Sequence, residues 1–475
     1  MLKILLEKEL REIIYSTKFS ITFGAAAVLV LLSFYAGIRN YQESMREYEA
    51  AKTANATNIS ALTDWRQVQH KVFRKPQPLQ VLVSGVSNDI GRTTEVRQTG
   101  ELSLINSRFS ADPLYAVFRF LDLNFVFIIV LSLFAILFGY DAINGEKESG
   151  TLKLVFANRV SRAEFILAKL LGSLLALGLP LIIPMLIGSL MLLGFGIPLS
   201  GAEWARLTLI IIGGLLCFGV FVTLSIMLSA MVTRSSVSFL LSLVVWIFSV
   251  LIVPKGSVLF AAQIASVPNL DTMEIQKRKY NTDQMQTRIK GMQQWFSTHT
   301  NFADTGFSTA LSAFQDSLSK ALEKDREKFY SRLNEEWRNK KDWQEQWAFG
   351  LSRVSPTAIY QIAAMNLANT DVPMKERYLK DLDRYQDAYA EFIRKKTGGG
   401  GEFMRIVMRS SSSSAGSEEE KPKQLNPVDL PEFVEQERTF GEVFSASFFD
   451  LGLLTLLNVL FFSGAFVAFL KFDLR

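Results

Sequence analysis

The chain reads as an all-α polytopic membrane protein: six transmembrane helices, both termini cytoplasmic, and a mainly helical extracytoplasmic domain with at most a small sheet. Three observations carry this. First, six runs are nearly free of charge: Phe19–Ile38, Val117–Phe138, Leu170–Phe195, Leu207–Val232, Val237–Val253 and Phe448–Leu470. A hydrocarbon core about 30 Å thick needs about 20 apolar helical residues to cross it. Second, the stretch from Pro254 to Phe444 carries 27 basic and 27 acidic residues, so the mean hydropathy of +0.19 averages two unlike kinds of chain. Third, lysine and arginine in the short loops fall on one side, Arg206 excepted.

Each run is taken as a helix because lipid offers no partner for an unbonded backbone group. The first could be mistaken for a signal peptide, but Glu7, Glu9 and Glu12 precede it and five more runs follow, so it is read as a retained span. The fifth, at 17 residues, lies at the lower limit for crossing. Orientation follows from Lys3, Lys8, Arg11 and Lys18 before span one, from Lys147, Lys153, Arg159, Arg162 and Lys169 between spans two and three, and from Arg234, Lys471 and Arg475. With six spans, all of these share one side, which is then the cytoplasm. The expected division is 1–38, N-terminal segment and first span; 39–116, first outer segment; 117–253, spans two to five with a cytoplasmic loop at 139–169; 254–447, a large outer domain with a flexible linker at 397–426; and 448–475, last span and tail.

In the second outer segment, residues 271–296, 316–348 and 374–396 show helical spacing of apolar residues among charges. Met285, Ile289, Met292 and Trp295 form one stripe, and Phe329, Leu333 and Trp337 another. Packing between neighbouring helices is the simpler use of such stripes, and the charge runs are the simpler face for water. Leu79–Val83 and Phe403–Met408 have the branched, alternating look of strands, and pairing between them would join the two outer segments. Gly398–Gly401 and Ser410–Ser414 read as linkers.

Several chemistries fall away. Cys217 is the only cysteine, and His70 and His299 are the only histidines, so neither a disulfide framework nor a metal site is expected. The net charge of +5 is spread along the chain, which argues against a nucleic-acid partner. Gly145 to Thr151 has the glycine spacing of a phosphate-binding loop but lacks its lysine, and two glutamates stand where phosphate oxygens would go. No catalytic residues are expected, and an enzyme site in the outer part finds no compact motif.

Polar groups in the apolar runs are candidates for a role in the membrane. Arg119 and Asp122 lie three residues apart near the outer end of span two. Asp450 is near the outer end of span six, and local pairing or an interfacial position is a plainer expectation for all three than a proton relay. Asn458 lies deeper and is placed to bond across a helix interface. Pro180 and Pro184, with Gly172 and Gly178, should kink or loosen span three. That would suit a gating helix, or a bend that its neighbours tolerate.

The segment from Asp141 to Ala168 says more. Glu146 and Glu148 make an acidic start, Ser149 is placed to cap a helix, and Gly150 permits close backbone approach. Leu152, Val155 and Phe156 then give an apolar face on a helix that begins with Thr151. Arg159 and Arg162 flank Ser161 before Glu164 opens the next helix. A short amphipathic helix held between two spans suits docking in another protein's groove. The alternative is a helix lying on lipid headgroups, which the acidic residues make less comfortable.

This segment resembles the signature of ABC-2 type transporter permeases, in which an acidic turn, Ser-Gly-Thr-Leu, an apolar helix and a Val-Ser-Arg turn precede the third span. Glu146, Glu148, Ser149, Gly150, Thr151, Leu152, Val160, Ser161 and Arg162 match in type and order; where the family often has proline, this chain has Arg159. Lys8 to Glu12 resembles the family's interfacial elbow helix. Ser355-Pro356 and Leu367 to Asp371 resemble pieces of the insertion before the last span in bacterial permeases similar to those of gliding-motility and copper-enzyme-maturation transporters. The resemblance implies a transmembrane subunit in a bacterial inner membrane, paired with a second permease, identical or related, and driven by a cytoplasmic ABC ATPase dimer. ATP and Mg would bind that ATPase, leaving this chain without a cofactor. The expected function is export or translocation of a substrate the sequence does not identify. The other reading is ATP-driven movement of the outer domain to act on an extracytoplasmic partner, with nothing crossing.

Overall fold

The computed structural model describes residues 1–65, 68, 70–87, 93–96, 103–105, 122–157, 160–299, 307–397 and 424–471. Six of its helices are long and apolar enough to cross a membrane: Thr17–Ser60, Leu123–Glu148, Arg162–Gly194, Gly201–Met231, Ser235–Ile264 and Phe440–Leu470. These are spans one to six below. They extend past the apolar runs because hydropathy marks only what suits lipid, whereas helix ends are set by caps. Ser161 with Glu164, Ser200 with Glu203 and Thr439 with Glu442 each form a reciprocal capping box opening a span. Span one, with 44 residues, is about 66 Å long at 1.5 Å per residue, so a good part stands clear of the hydrocarbon.

Span five is longer than its 17-residue apolar run. A π-helical turn at Phe248–Ile252 leads into Val253–Ile264, and Pro254 occupies the first turn of that segment, where its missing N–H is tolerated. The helix therefore continues past Pro254, where the outer domain was expected to begin. Span two contains a second π-helical stretch, Val126–Leu131. The indole of Trp246 in span five donates to Ser132 Oγ just beyond it, at 2.8 Å. Span three stays helical through Pro180 and Pro184.

The chain divides into two compact units, residues 1–250 with 356–475, and residues 251–355. The 254–447 outer domain expected from sequence is thus split. The smaller unit contains the helices Leu270–Thr298 and Phe307–Ser352. Tyr280 stacks on Phe329 with ring centroids 4.0 Å apart, and Trp295 meets Phe314. Trp337 donates to the Pro268 carbonyl at 3.2 Å. The two apolar stripes thus pack in part, while Met285 and Ile289 stay exposed.

In the larger unit, ends of the spans meet in two sets. Lys18 at the start of span one pairs with Asp141, Glu148 binds Ser235 at the start of span five, and Arg162 at the start of span three donates to the Leu470 carbonyl of span six. At the other ends, Gln42 donates to the Phe195 carbonyl and Arg206 to that of Arg438. The spans therefore alternate in direction. Beyond the second set lies a three-stranded antiparallel sheet, β1 (His70–Phe73), β2 (Thr93–Val96) and β3 (Ser103–Ile105), with His70 opposite Val96 and Thr93 opposite Ile105. The helix Met374–Thr397 buries Tyr378, Leu382, Tyr385, Tyr389 and Ile393, one helical face, in a core shared with Val72, Val96 and Ile59.

Leu79–Val83 is not a strand. Pro78 opens a 3-10 turn over Pro78–Val81, and Leu79 through Val83 are all buried, a pattern no half-exposed strand would give. Phe403–Met408 and the Gly398–Gly401 and Ser410–Ser414 linkers lie outside the described residues. The two outer segments nonetheless join through Tyr385 to His70, Thr94 to Tyr378 and Arg74 to Met374.

One membrane element was not expected. The helix Pro356–Leu367 packs between spans four and six with most of its residues buried. Cys217, midway along span four, donates to the Pro356 carbonyl at 3.7 Å, and Thr357 donates to the Ser249 carbonyl of span five at 3.4 Å. Twelve residues are too few to cross a bilayer, so this is a re-entrant helix sheltered by spans. The corner after it holds Asn369 at φ 56, in the left-handed region that asparagine tolerates.

Candidate functional site

The 139–169 loop consists of the turn and short helix Asn144–Glu148 that end span two, followed by a second helix Thr151–Ala157 before span three. Span four anchors the turn, since Ser229 Oγ accepts from the Ile143 and Asn144 amides at 3.2 and 3.3 Å. Ser149 closes the first helix rather than opening the second: its hydroxyl donates to the Glu146 carbonyl at 3.2 Å and lies 2.9 Å from that of Thr151. Gly150 follows at φ +74, with open space where a Cβ would stand. Its role is the left-handed turn that ends a helix, not close backbone approach.

The two glutamates point back into the chain. Glu146 is buried, with an Oε1 2.8 Å from Lys169 Nζ of span three and 3.6 Å from Lys8 Nζ. Lys169 also reaches Glu9 of the N-terminal helix Leu2–Ile14 at 2.9 Å. Burial raises the Glu9 carboxyl above the ordinary range, against the pull of Lys169. Gly172, one turn beyond Lys169, makes room for this helix, since a Cβ there would come within 2.8 Å of the Glu9 side chain. The Glu148 carboxylate accepts from the Ser235 amide at 2.8 Å and its hydroxyl at 2.9 Å, capping the first turn of span five.

The second helix has two faces. Leu152 is 2% exposed, and Val155 and Phe156 pack against the core. Phe156 lies 5.5 Å from Phe165 of span three and 6.2 Å from Phe469 of span six, ring to ring. The apolar face expected to dock therefore belongs to the chain's own interior. Thr151, Lys153, Leu154 and Ala157 are exposed, Leu154 at 67%. Ser161 caps span three, and Arg162 donates to the Leu470 carbonyl at 2.9 Å. Arg159 lies outside the described residues.

The loop thus touches the N-terminal helix and spans one, three, four, five and six while keeping one face exposed. Composition hinted at the loop, but not at Lys169, Ser229 or Ser235, which are ordinary residues until the fold brings them together. Among the described residues, Glu9, Glu12 and Glu146 form the one carboxylate cluster compact enough to suggest a metal, and Lys169 already bonds two of them.

The other polar candidates do not converge on a single centre. Asp122 caps span two, accepting from the Phe125 amide at 2.9 Å and from the Ser84 hydroxyl at 2.9 Å. Arg119 lies outside the described residues. Asp450 is fully buried, ten residues beyond the start of span six. Asn458 donates to the Leu216 carbonyl of span four at 2.9 Å, tying spans four and six. Pro184 is buried within span three beside Met185 and Leu181.

Six spans in alternating directions and a braced loop with one exposed face define a multi-pass membrane protein whose own residues assemble no catalytic constellation among those described. The chain matches the model of the ABC-2 family of transporter proteins over residues 3–474. It belongs to that family and is a permease subunit of an ABC transporter, a membrane component that works with an ABC ATPase. No curated protein matches the chain.

Proposed function

We propose that this permease couples ATP hydrolysis on a separate cytoplasmic ATPase dimer to export or translocation of a substrate, acting beside a second permease subunit in a bacterial inner membrane. The exposed face of Thr151–Ala157 is the docking surface. The observation that carries this is its bracing: the same seven-residue helix exposes Leu154, buries Leu152 in the core and sets the Phe156 ring against Phe165 of span three and Phe469 of span six. A push on Leu154 reaches those spans through packed rings, and packed interiors transmit displacement because they are close to crystal density. ATP then biases the permease between two states by binding them unequally. The chain hydrolyses nothing and binds no cofactor; ATP and Mg belong to the ATPase.

Lysine and arginine at one set of span ends, eight of them in Lys3 to Lys18 and Lys147 to Arg162, support placing that set in the cytoplasm. Movement of the 251–355 unit without transport is the second reading, favoured by its forming a separate compact unit. Charge reversal at Glu146 or Glu148 would not test docking, since both hold the fold. Leu154→Glu with Lys153→Glu is the sharper probe. The docking reading expects loss of the co-purifying ATPase with an unchanged melting temperature, and undiminished co-purification would overturn it.

A further inference from the structure

A cavity of about 450 Å³ lies in the larger unit, beyond the membrane-spanning stretch of span one. This is within the size range of small-molecule sites. One wall is a single face of span one's continuation, Tyr48, Lys52, Ala56 and Ile59, spaced three or four residues apart. A second wall is strand β1, and a third is the proline-bounded segment Pro427–Phe433 that runs toward span six. Tyr385 fixes two walls together: its hydroxyl donates to the Pro431 carbonyl at 2.9 Å and lies 2.7 Å from His70 Nε2. The cleft is therefore preformed rather than a gap between loose loops.

Its lining is aromatic and aliphatic, with charge near the rim. Lys52 and Lys71 are exposed, and Glu432 is the one carboxylate among the lining residues. Burial lowers the His70 imidazole to about 4, so the ring contributes as a neutral aromatic wall at ordinary pH. The lining is thus one positive charge in excess over an apolar interior. We propose that this cavity binds an amphipathic organic anion, with its apolar body in the cleft and its carboxylate, sulfonate or phosphate at Lys52 and Lys71. Such a ligand would touch both the continuation of span one and the segment leading into span six. The proposal needs only the cavity, so its failure would leave the permease reading untouched.

The test is a titration of the full chain in phosphatidylcholine nanodiscs with 1-anilinonaphthalene-8-sulfonate, using empty nanodiscs as the blank. One saturable site is expected, displaced by decanoate and not by decyltrimethylammonium. Affinity should fall at least about tenfold in K52E/K71E, the size expected from reversing two charges near the ligand. A56W, which fills the cleft, should abolish the site. If A56W fails to fold, K52E/K71E at its two exposed positions still decides. Anionic lipid supplied in the nanodisc separates a bilayer source from a dissolved one: competition by that lipid assigns the site to lipid headgroups, and its absence to soluble anions. Equal displacement by the cation, or unchanged binding in both variants, would overturn the proposal.

Discussion

Lys169 shows what a single residue does that its neighbours in sequence do not announce. It sits 5% exposed between Glu9 and Glu146, and removing a partner from a buried ion pair strands the remaining charges. Lys169→Met should cost about 3–5 kcal/mol, measured by chemical unfolding in detergent. The triple variant with Glu9→Gln and Glu146→Gln should recover much of that loss; no recovery would show that packing, not charge, holds the site. His70 gives a second residue-scale expectation. Its folded imidazole titrates near 4 and a free one near 6.5, so between these values the unfolded chain binds more protons. Stability should rise with pH across that window, by up to about 1.4 kcal/mol per unit, be fully present above 6.5, and fall as pH drops toward 4. Tyr385 and Tyr389, beside it, are both raised by burial and stay neutral there. His70→Gln should flatten the slope relative to the parent chain. The sequence singled out Glu146 and Glu148 but could not show where they point. That depends on Lys169 and Ser235, 23 and 87 residues away.

At the scale of the element, the helix Thr151–Ala157 was visible as an amphipathic stretch, yet its apolar triad faces inward. Periodicity identifies a face that avoids water; it does not say whose interior receives it. Leu152→Glu, burying an unpaired carboxylate, should destabilise by about 2–4 kcal/mol in a thermal melt. Leu154→Glu should stay within about 0.5 kcal/mol of the parent while lowering ATPase stimulation by the permease in proteoliposomes. A reversal of that ranking would place the docking face elsewhere. Span limits were partly legible too. The apolar runs located all six helices, and the Ser-x-x-Glu and Thr-x-x-Glu capping boxes at Ser161, Ser200 and Thr439 mark three starts within a residue. The re-entrant helix Pro356–Leu367 was hidden because twelve moderately apolar residues resemble a buried helix of any soluble domain. Only its bonds to spans four and five reveal its depth.

At the scale of the whole molecule, the family was legible in the Glu146 to Arg162 motif taken with six spans, while the two compact units were not legible in composition. Balanced charge from Pro254 to Phe444 conceals a boundary at Ser355, because the residues on both sides are similarly polar and helical. That division permits a clean deletion. Tyr330 donates to Asn281 at 2.9 Å across the two long helices of the smaller unit, so joining Asn281 to Ser331 shortens the hairpin where its arms are already close. The larger unit has its own core and should keep its melting temperature. Substrate movement by the shortened chain would support transport, and its loss with ATPase coupling intact would support mechanical signalling.

The central claim is that Leu154 faces an ATPase, and the chain's single, fully buried cysteine makes this directly measurable. Leu154→Cys in a Cys217→Ser background, labelled in native membranes with a short maleimide–benzophenone and irradiated so that the benzophenone inserts into a neighbouring C–H bond, should yield an adduct to an ATP-binding protein identified by mass spectrometry. Val428→Cys, exposed at the far end of the spans, should not form it. An ATPase adduct at Val428 and none at Leu154 would contradict the account.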